Sequence, residues 1–282
     1  MILLFPRNPW PFHRATLALA LALACATALP ASARELRVCA DPNNLPFSNS
    51  AGEGFENRIV AIVARDLGAT VSYTWWAQRR GFLRHTILAG RCDLVAGLPV
   101  GIELLRPTRP YYRSTYVVVS RPNGPTIASL DDPSLARLTV GVQLAGLDAA
   151  STPPAQALAR RGLTDTVRGY LLTGDYAQAN PPARIVEAVA RGEVDLALAW
   201  GPMAGYFAAR ATPRLRVDPV RPALDGPKGP MVFDIAMAVR REDEPLRREV
   251  GAALERHRTE INAILADYSV PRLDRPAEAA AP

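Results

Sequence analysis

Two short clusters carry the residue types and spacing that could do chemistry. The first is the loop DPNNLPF at 41–47, with Asp41, Asn43, Asn44 and Phe47. Asn43 and Asn44 could hydrogen-bond a polar ligand. Asp, Asn and Pro also stabilise turns by local bonding, so a ligand role and a turn role both stand. The second cluster is Trp75, Trp76, Gln78, Arg79 and Arg80. Adjacent aromatics at a strand end point to opposite faces, so one can enter a core while the other faces a cleft. Exposed Trp and Arg are also enriched where proteins bind one another. Packing plus a solvated helix start is the plainer account. Tyr111, Tyr112 and Tyr116 offer flat apolar bodies with polar tips, suited to clefts and interfaces, and core packing accounts equally well for one of them. Asp41 and Glu103 are the carboxylates to suspect of acid–base work, against blander roles as a turn acid and a solvated loop acid. No Ser or Cys sits in a nucleophile elbow, and none of His13, His85 or His257 is placed as a general base. The reading is therefore of a non-enzymatic protein. No Cys/His spacing suits a metal.

Composition narrows the classes. The 282 residues are 49% hydrophobic and 21% charged, which excludes a disordered or collagen-like chain and a polytopic membrane protein. The net charge is +6, with Lys228 the only lysine. The arginines are scattered, without a basic block or RNA-binding motif, so nucleic acid is not the expected partner. A basic surface favours an acidic protein partner.

Residues 1–33 read as an export signal: Arg7 and Arg14 precede an apolar run at 15–29, Pro30 breaks it, and Ala31-Ser32-Ala33 is a small-x-small cleavage site. The run is shorter than the ~20 residues a bilayer span needs. Lipidation at Cys25 is the weaker reading. Cleavage after Ala33 would leave a periplasmic chain with no later segment able to cross a membrane. Cys39 and Cys92 would then meet an oxidising compartment, either bridged or as two buried thiols.

The elements that must position these residues alternate. Strands are expected at 35–40, 70–76 and 92–97, with helices at 54–67 and 79–89 closed by Gly68 and Gly90. A β-branched run follows at 114–120. After the turn-rich break at 121–125 come a strand at 138–142 and helices at 152–161 and 182–191. A strand at 194–199 and a helix at 201–210 complete this set. A second Pro/Gly-rich break at 219–230 precedes a strand at 233–239 and one long helical stretch at 245–268. The division expected is an export signal at 1–33, a first lobe at 34–120 and 223–275, a second lobe at 121–222, and a disordered tail at 276–282. A lobe entered and left by two crossovers makes a hinge that permits closure. Loops at the carboxyl ends of strands would line the cleft.

This order resembles the type II periplasmic solute-binding fold: α/β, two-lobed, with two crossover hinge segments. The resemblance rests on ARIVEAVARGEVDLALA at 183–199, PTRPYY at 107–112 and the helical tail from Pro245 to Tyr268. VCADPNNLPFSN at 38–49, YTWWAQRRGF at 73–82, GRCD at 90–93 and AWGPMAGY at 199–206 further resemble the quinoprotein-dehydrogenase-associated branch, the MoxJ/XoxJ type. That resemblance implies an accessory protein of methanol or related alcohol oxidation. Its partner would be a periplasmic quinoprotein alcohol dehydrogenase. The pyrroloquinoline quinone (PQQ) belongs to that partner, and no cofactor is expected here.

The amino-acid-binding members of the fold hold the ligand carboxylate with an Arg upstream of the Pro-Tyr step and the ammonium with an acid after the second-lobe strand. A zwitterion taken from water needs both. Here Arg106 lies too near the Tyr pair, and Trp200 stands where the acid would be. Gln143, Gly146 and Thr152-Pro153 sit where the fold presents donors from a helix N-terminus. The alternative function is a solute-binding component of an importer for a small polar ligand other than an amino acid. A periplasmic dehydratase using Asp41 or Glu103 is the third.

Overall fold

The computed structural model describes Met1 and residues 34–144, 151–174, 176–226 and 229–273. The rest of the expected export segment, Gly146, Lys228 and the expected disordered tail at 276–282 lie outside the described residues.

In chain order the elements are β1 (Arg34–Ala40), β2 (Asn43–Asn44), β3 (Ser48–Asn49), α1 (Phe55–Asp66), β4 (Ala69–Trp75) and α2 (Phe82–His85). Then come β5 (Leu94–Pro99), β6 (Leu105–Pro107), β7 (Tyr112–Ser120), β8 (Val140–Leu144), α3 (Pro153–Arg160) and β9 (Val167–Leu171). The chain continues through α4 (Arg184–Arg191), β10 (Leu196–Trp200), α5 (Gly201–Arg210), β11 (Arg216–Pro219) and β12 (Val232–Arg240), and ends in α6 (Glu244–Arg256) and α7 (Arg258–Asp267).

Strand pairing joins the first half of the molecule to the second through the order β4-β1-β5-β12-β7-β10-β8-β9, with β11 on β7 and β6 on β12. β1 is parallel to β5, and β8 is parallel to both β10 and β9. Parallel pairs of this kind require crossover connections and bury both sheet faces under helices. β12 and β7 are the antiparallel centre. The start of β7 pairs with β12, Tyr112 opposite Ile235 and Thr115 opposite Val232. Its remainder pairs with β10, Tyr116 opposite Trp200 and Ser120 opposite Leu196. The chain therefore passes from one half to the other inside β7, at Thr115–Tyr116, upstream of the turn at Arg121.

Each half has its own core. In the first, α1, α6 and α7 cover the sheet with Phe55, Ile59, Val63, Val250, Leu254, Ile261 and Leu265. On the opposite face a smaller cluster gathers Phe82, Ile87, Val95 and Leu105 around Cys39 and Cys92. Those two cysteines are bridged, with Cα atoms 5.5 Å apart. In the second half, Ile185, Val189, Ala197 and Met203 fill one face, and Val140, Leu158, Leu196 and Leu198 fill the other.

Two expected helices are broken. At 79–89 the only α-turns are α2, followed by a 3-10 turn at Ile87–Ala89. Thr86 leaves helical geometry and its hydroxyl donates to the Phe82 carbonyl at 2.6 Å, a back-bond that competes with the helix. The stretch at 245–268 divides at His257, whose ring lies 3.0 Å from an Asp66 carboxylate oxygen on α1. Arg256 bonds the same carboxylate. Those tertiary bonds outweigh helix continuity at one residue. β2, β3, β6, β9 and β11 fall outside the expected strands because they are short; Gly169 interrupts the β pattern in β9, and Arg216 and Asp218 put charge into β11.

Candidate functional site in the cleft

A cavity of about 390 Å³ lies where the two halves meet. The register places its aromatic wall: Tyr116 on β7, Trp200 at the end of β10 and Phe233 at the start of β12. These three rings pack edge to face, at 5.3 Å for Tyr116–Trp200 and 5.8 Å for Trp200–Phe233. Phe47, Tyr112, Pro99 and Ile235 extend the apolar lining, and Asn44, Gln78, Gln143 and Thr173 supply neutral polar groups. Asn44 Nδ2 donates to Gln78 Oε1 at 2.9 Å, and the Trp200 backbone N–H donates to Gln143 Oε1 at 3.1 Å.

Asp41 stands behind this lining as a fastener. One carboxylate oxygen accepts from the Asn43 N–H at 2.9 Å and the other from the Gln78 N–H at 2.7 Å. Burial raises its pKa, and those two bonds and Arg79 oppose the rise. Ser48 Oγ donates to the Asp41 carbonyl at 2.8 Å and closes the turn. Asp41 thereby sets where Asn44 and Gln78 point.

Among the described residues the carboxyl group that lines the cavity is that of Glu56, in the first turn of α1. Only 7% of its surface is exposed. Its carboxyl lies against Gly97 of β5, where a Cβ would meet Glu56 Oε1 at 2.0 Å. A glycine is required at 97 for this close approach. Among the described residues no hydrogen bond or ion pair reaches that carboxyl, and burial pushes its pKa up to about 8. Sequence reasoning missed Glu56 because an acid in a first helical turn reads as a solvated partner of the helix dipole. The available signal was position: Glu56 shares the face of Val60 and Val63, both fully buried.

The expected site residues divide into three groups. Asn44, Phe47, Gln78, Tyr112, Gln143 and Trp200 come together in the cavity wall. Asp41 and Thr152 support it from behind, Thr152 donating to the Gln143 carbonyl at 2.8 Å. Asn43 and Arg79 bridge the rim: Asn43 Nδ2 donates to the Gln178 carbonyl at 2.7 Å, and Arg79 lies against Gly174. Trp75, Trp76, Arg80 and Tyr111 are outside the cavity lining. Trp75 stacks on Tyr73 at 4.5 Å, and Trp76 stacks on His85 at 4.9 Å beside the disulfide cluster. Tyr111 turns its hydroxyl to the Ala96 carbonyl at 3.0 Å. Arg80 lines a second hollow, of about 470 Å³, with Arg79, Arg84, Leu88 and Leu104. Glu103 is exposed on the β5–β6 connection. Tyr116, Thr173, Phe233 and Glu56 complete the cavity from outside the expected set.

Among the described residues this lining has no Arg, Lys or His. A bound carboxylate would lack a counter-charge, so the cavity is unsuited to an amino-acid zwitterion. No group of three or more His, Cys, Asp or Glu among the described residues could hold a metal ion.

The chain matches no protein-family model. It is 34% identical over 261 residues to Protein MoxJ of Methylorubrum extorquens, a match covering 88% of this chain and 85% of that protein. The chain belongs to the MoxJ family. Two solved structures agree with that membership. MxaJ from Methlophaga aminisulfidivorans MPT is 25% identical with a TM-score of 0.71, over 84% of this chain and all of that one. The periplasmic binding protein XoxJ from Methylobacterium extorquens AM1 is 33% identical with a TM-score of 0.69, over 85% of this chain and all of that one. The fold is that of a type II periplasmic binding protein, and the two-halved sheet joined through β7 and β12 is its two-lobed, doubly crossed architecture.

Proposed function

We propose that this chain is a periplasmic accessory protein of a PQQ-dependent alcohol dehydrogenase system, exported by its leading segment and acting by binding the dehydrogenase. Membership of the MoxJ family carries this reading. PQQ stays with the partner. Catalysis by the chain itself has little support: both Asp41 oxygens accept backbone N–H bonds, and Glu103 is a solvated loop acid. Among the described residues no helix is long and apolar enough to cross a membrane.

The partner would meet the hollow rimmed by Arg79, Arg80 and Arg84. Its Leu88 and Leu104 are 44% and 57% exposed. Arginines around accessible leucines suit an acidic protein surface with apolar contacts at its centre, in keeping with the chain's net charge of +6. The test is affinity capture of the tagged mature protein from the periplasm of methanol-grown cells, with mass spectrometry of what co-elutes. Stoichiometric recovery of a quinoprotein dehydrogenase is expected. Its absence would shift the weight to an importer's solute-binding component, the reading favoured by the cavity itself.

A further inference from the structure

We propose that the cleft cavity is a binding site for an organic cation, a guanidinium, amidinium or ammonium group on an apolar stem, with Glu56 as its counter-ion. The inference does not rest on the dehydrogenase reading. Glu56 is a nearly buried carboxyl without a hydrogen-bond or ion-pair partner among the described residues. Such a group is costly unless something arrives to pair with it. The titratable side chains that feel its charge are Tyr73 on β4, Tyr111 immediately before β7 and Tyr112 at the start of β7. None of them bears a positive charge. The rest of the wall is aromatic, and the faces of Tyr and Trp attract cations. An anion would find no opposite charge in this lining, and a neutral solute would hydrogen-bond the protonated carboxyl without forming a charge pair.

Binding would be coupled to a proton. The carboxyl is mostly protonated at pH 7, since burial holds its pKa near 8. The arriving cation favours the ionised form. The carboxyl proton leaves to buffer, and the carboxylate and cation form a charge-assisted pair. The cation could be a free solute or an Arg or Lys side chain of a protein partner, and the chemistry is the same.

The experiment uses isothermal titration calorimetry of the mature protein with benzamidinium and with its neutral isostere benzamide, in buffers of different ionisation enthalpy. Benzamidinium is expected to bind more tightly than benzamide. It should release close to one proton at pH 7 and almost none at pH 9.5. Glu56→Gln should weaken benzamidinium by about tenfold or more, abolish the proton release and leave circular dichroism unchanged. Equal binding of the two probes would overturn the proposal, as would an unweakened Glu56→Gln variant. Tyr116→Leu is the second variant, expected to weaken benzamidinium with proton release retained. Competition separates the sources. If captured dehydrogenase is displaced by benzamidinium, the natural cation is a partner's side chain, and if it is not displaced, the cation is a free solute. Both results support the site, and failure of capture leaves the calorimetry intact.

Discussion

At the residue scale, Glu56 ties stability to pH in an uncommon direction. Its pKa rises from 4.5 to about 8 on folding. The folded state therefore holds more protons than the unfolded state between those values, and stability falls as pH rises through that window. Glu56→Gln removes the ionisation and should stabilise the protein by about 2–4 kcal/mol at pH 8. Thermal unfolding at pH 4 and pH 8 checks this: the variant's gain should be large at pH 8 and absent at pH 4. Asp41 predicts the opposite outcome. Its two carboxylate oxygens hold the N–H groups of Asn43 and Gln78, so Asp41→Ala should cost about 2–3 kcal/mol in denaturant unfolding. It should also loosen one wall of the cavity. Asp41 was legible from its loop, because turn chemistry and strand-end position both single it out. Glu56 was not, because residue type concealed what helical spacing revealed.

At the element scale, the repeating helix–turn–strand units were readable. α5 occupies its expected span, and α1, α4 and β10 fall within a residue or two of theirs, because apolar periodicity and glycine stops agree there. What the pattern could not show was where a tertiary bond interrupts a helix, as at Thr86 and His257, or where a short polar strand is recruited to an edge, as with β9. The cavity wall was partly legible for the same reason. Gln143 and Trp200 follow from strand ends, whereas Phe233 and Thr173 depend on which strands become neighbours. The disulfide, left open by sequence, joins β1 to the residue two before β5 across 53 positions. Closing a loop of that length corresponds to about 4 kcal/mol of chain entropy removed from the unfolded state. Cys39→Ser/Cys92→Ser should lower stability by up to that amount, read from denaturant unfolding, with a steeper slope because the unfolded chain is no longer cross-linked. A second fastener holds α3: Arg160 and Arg161 both bond Asp225, which holds its carboxyl down near pH 2. This contribution is present above about pH 4 and is lost as pH falls toward 2. Asp225→Asn should flatten the acid limb of the unfolding profile.

At the scale of the whole molecule, the halves touch across the rim through Asn43–Gln178 and Arg79–Gly174. These contacts hold the cleft narrow. Asn43→Ala with Arg79→Ala should shift the scattering-derived radius of gyration upward, with no loss of secondary structure. An unchanged radius would show that the rim is not a latch. The same Arg79 borders the proposed partner surface, so association should weaken as salt is raised, mainly through a slower on-rate.

β7 has one more consequence. The residues from Tyr112 to Thr115 are hydrogen-bonded into one half, and those from Tyr116 to Ser120 into the other. Neither core can melt without stripping a strand that its neighbour also needs. Two hydrophobic cores in one chain would ordinarily give two heat-absorption peaks. Here they should give one, with the calorimetric enthalpy equal to the van't Hoff enthalpy, and the amides of Val117 and Val119 should be among the last to exchange their hydrogens.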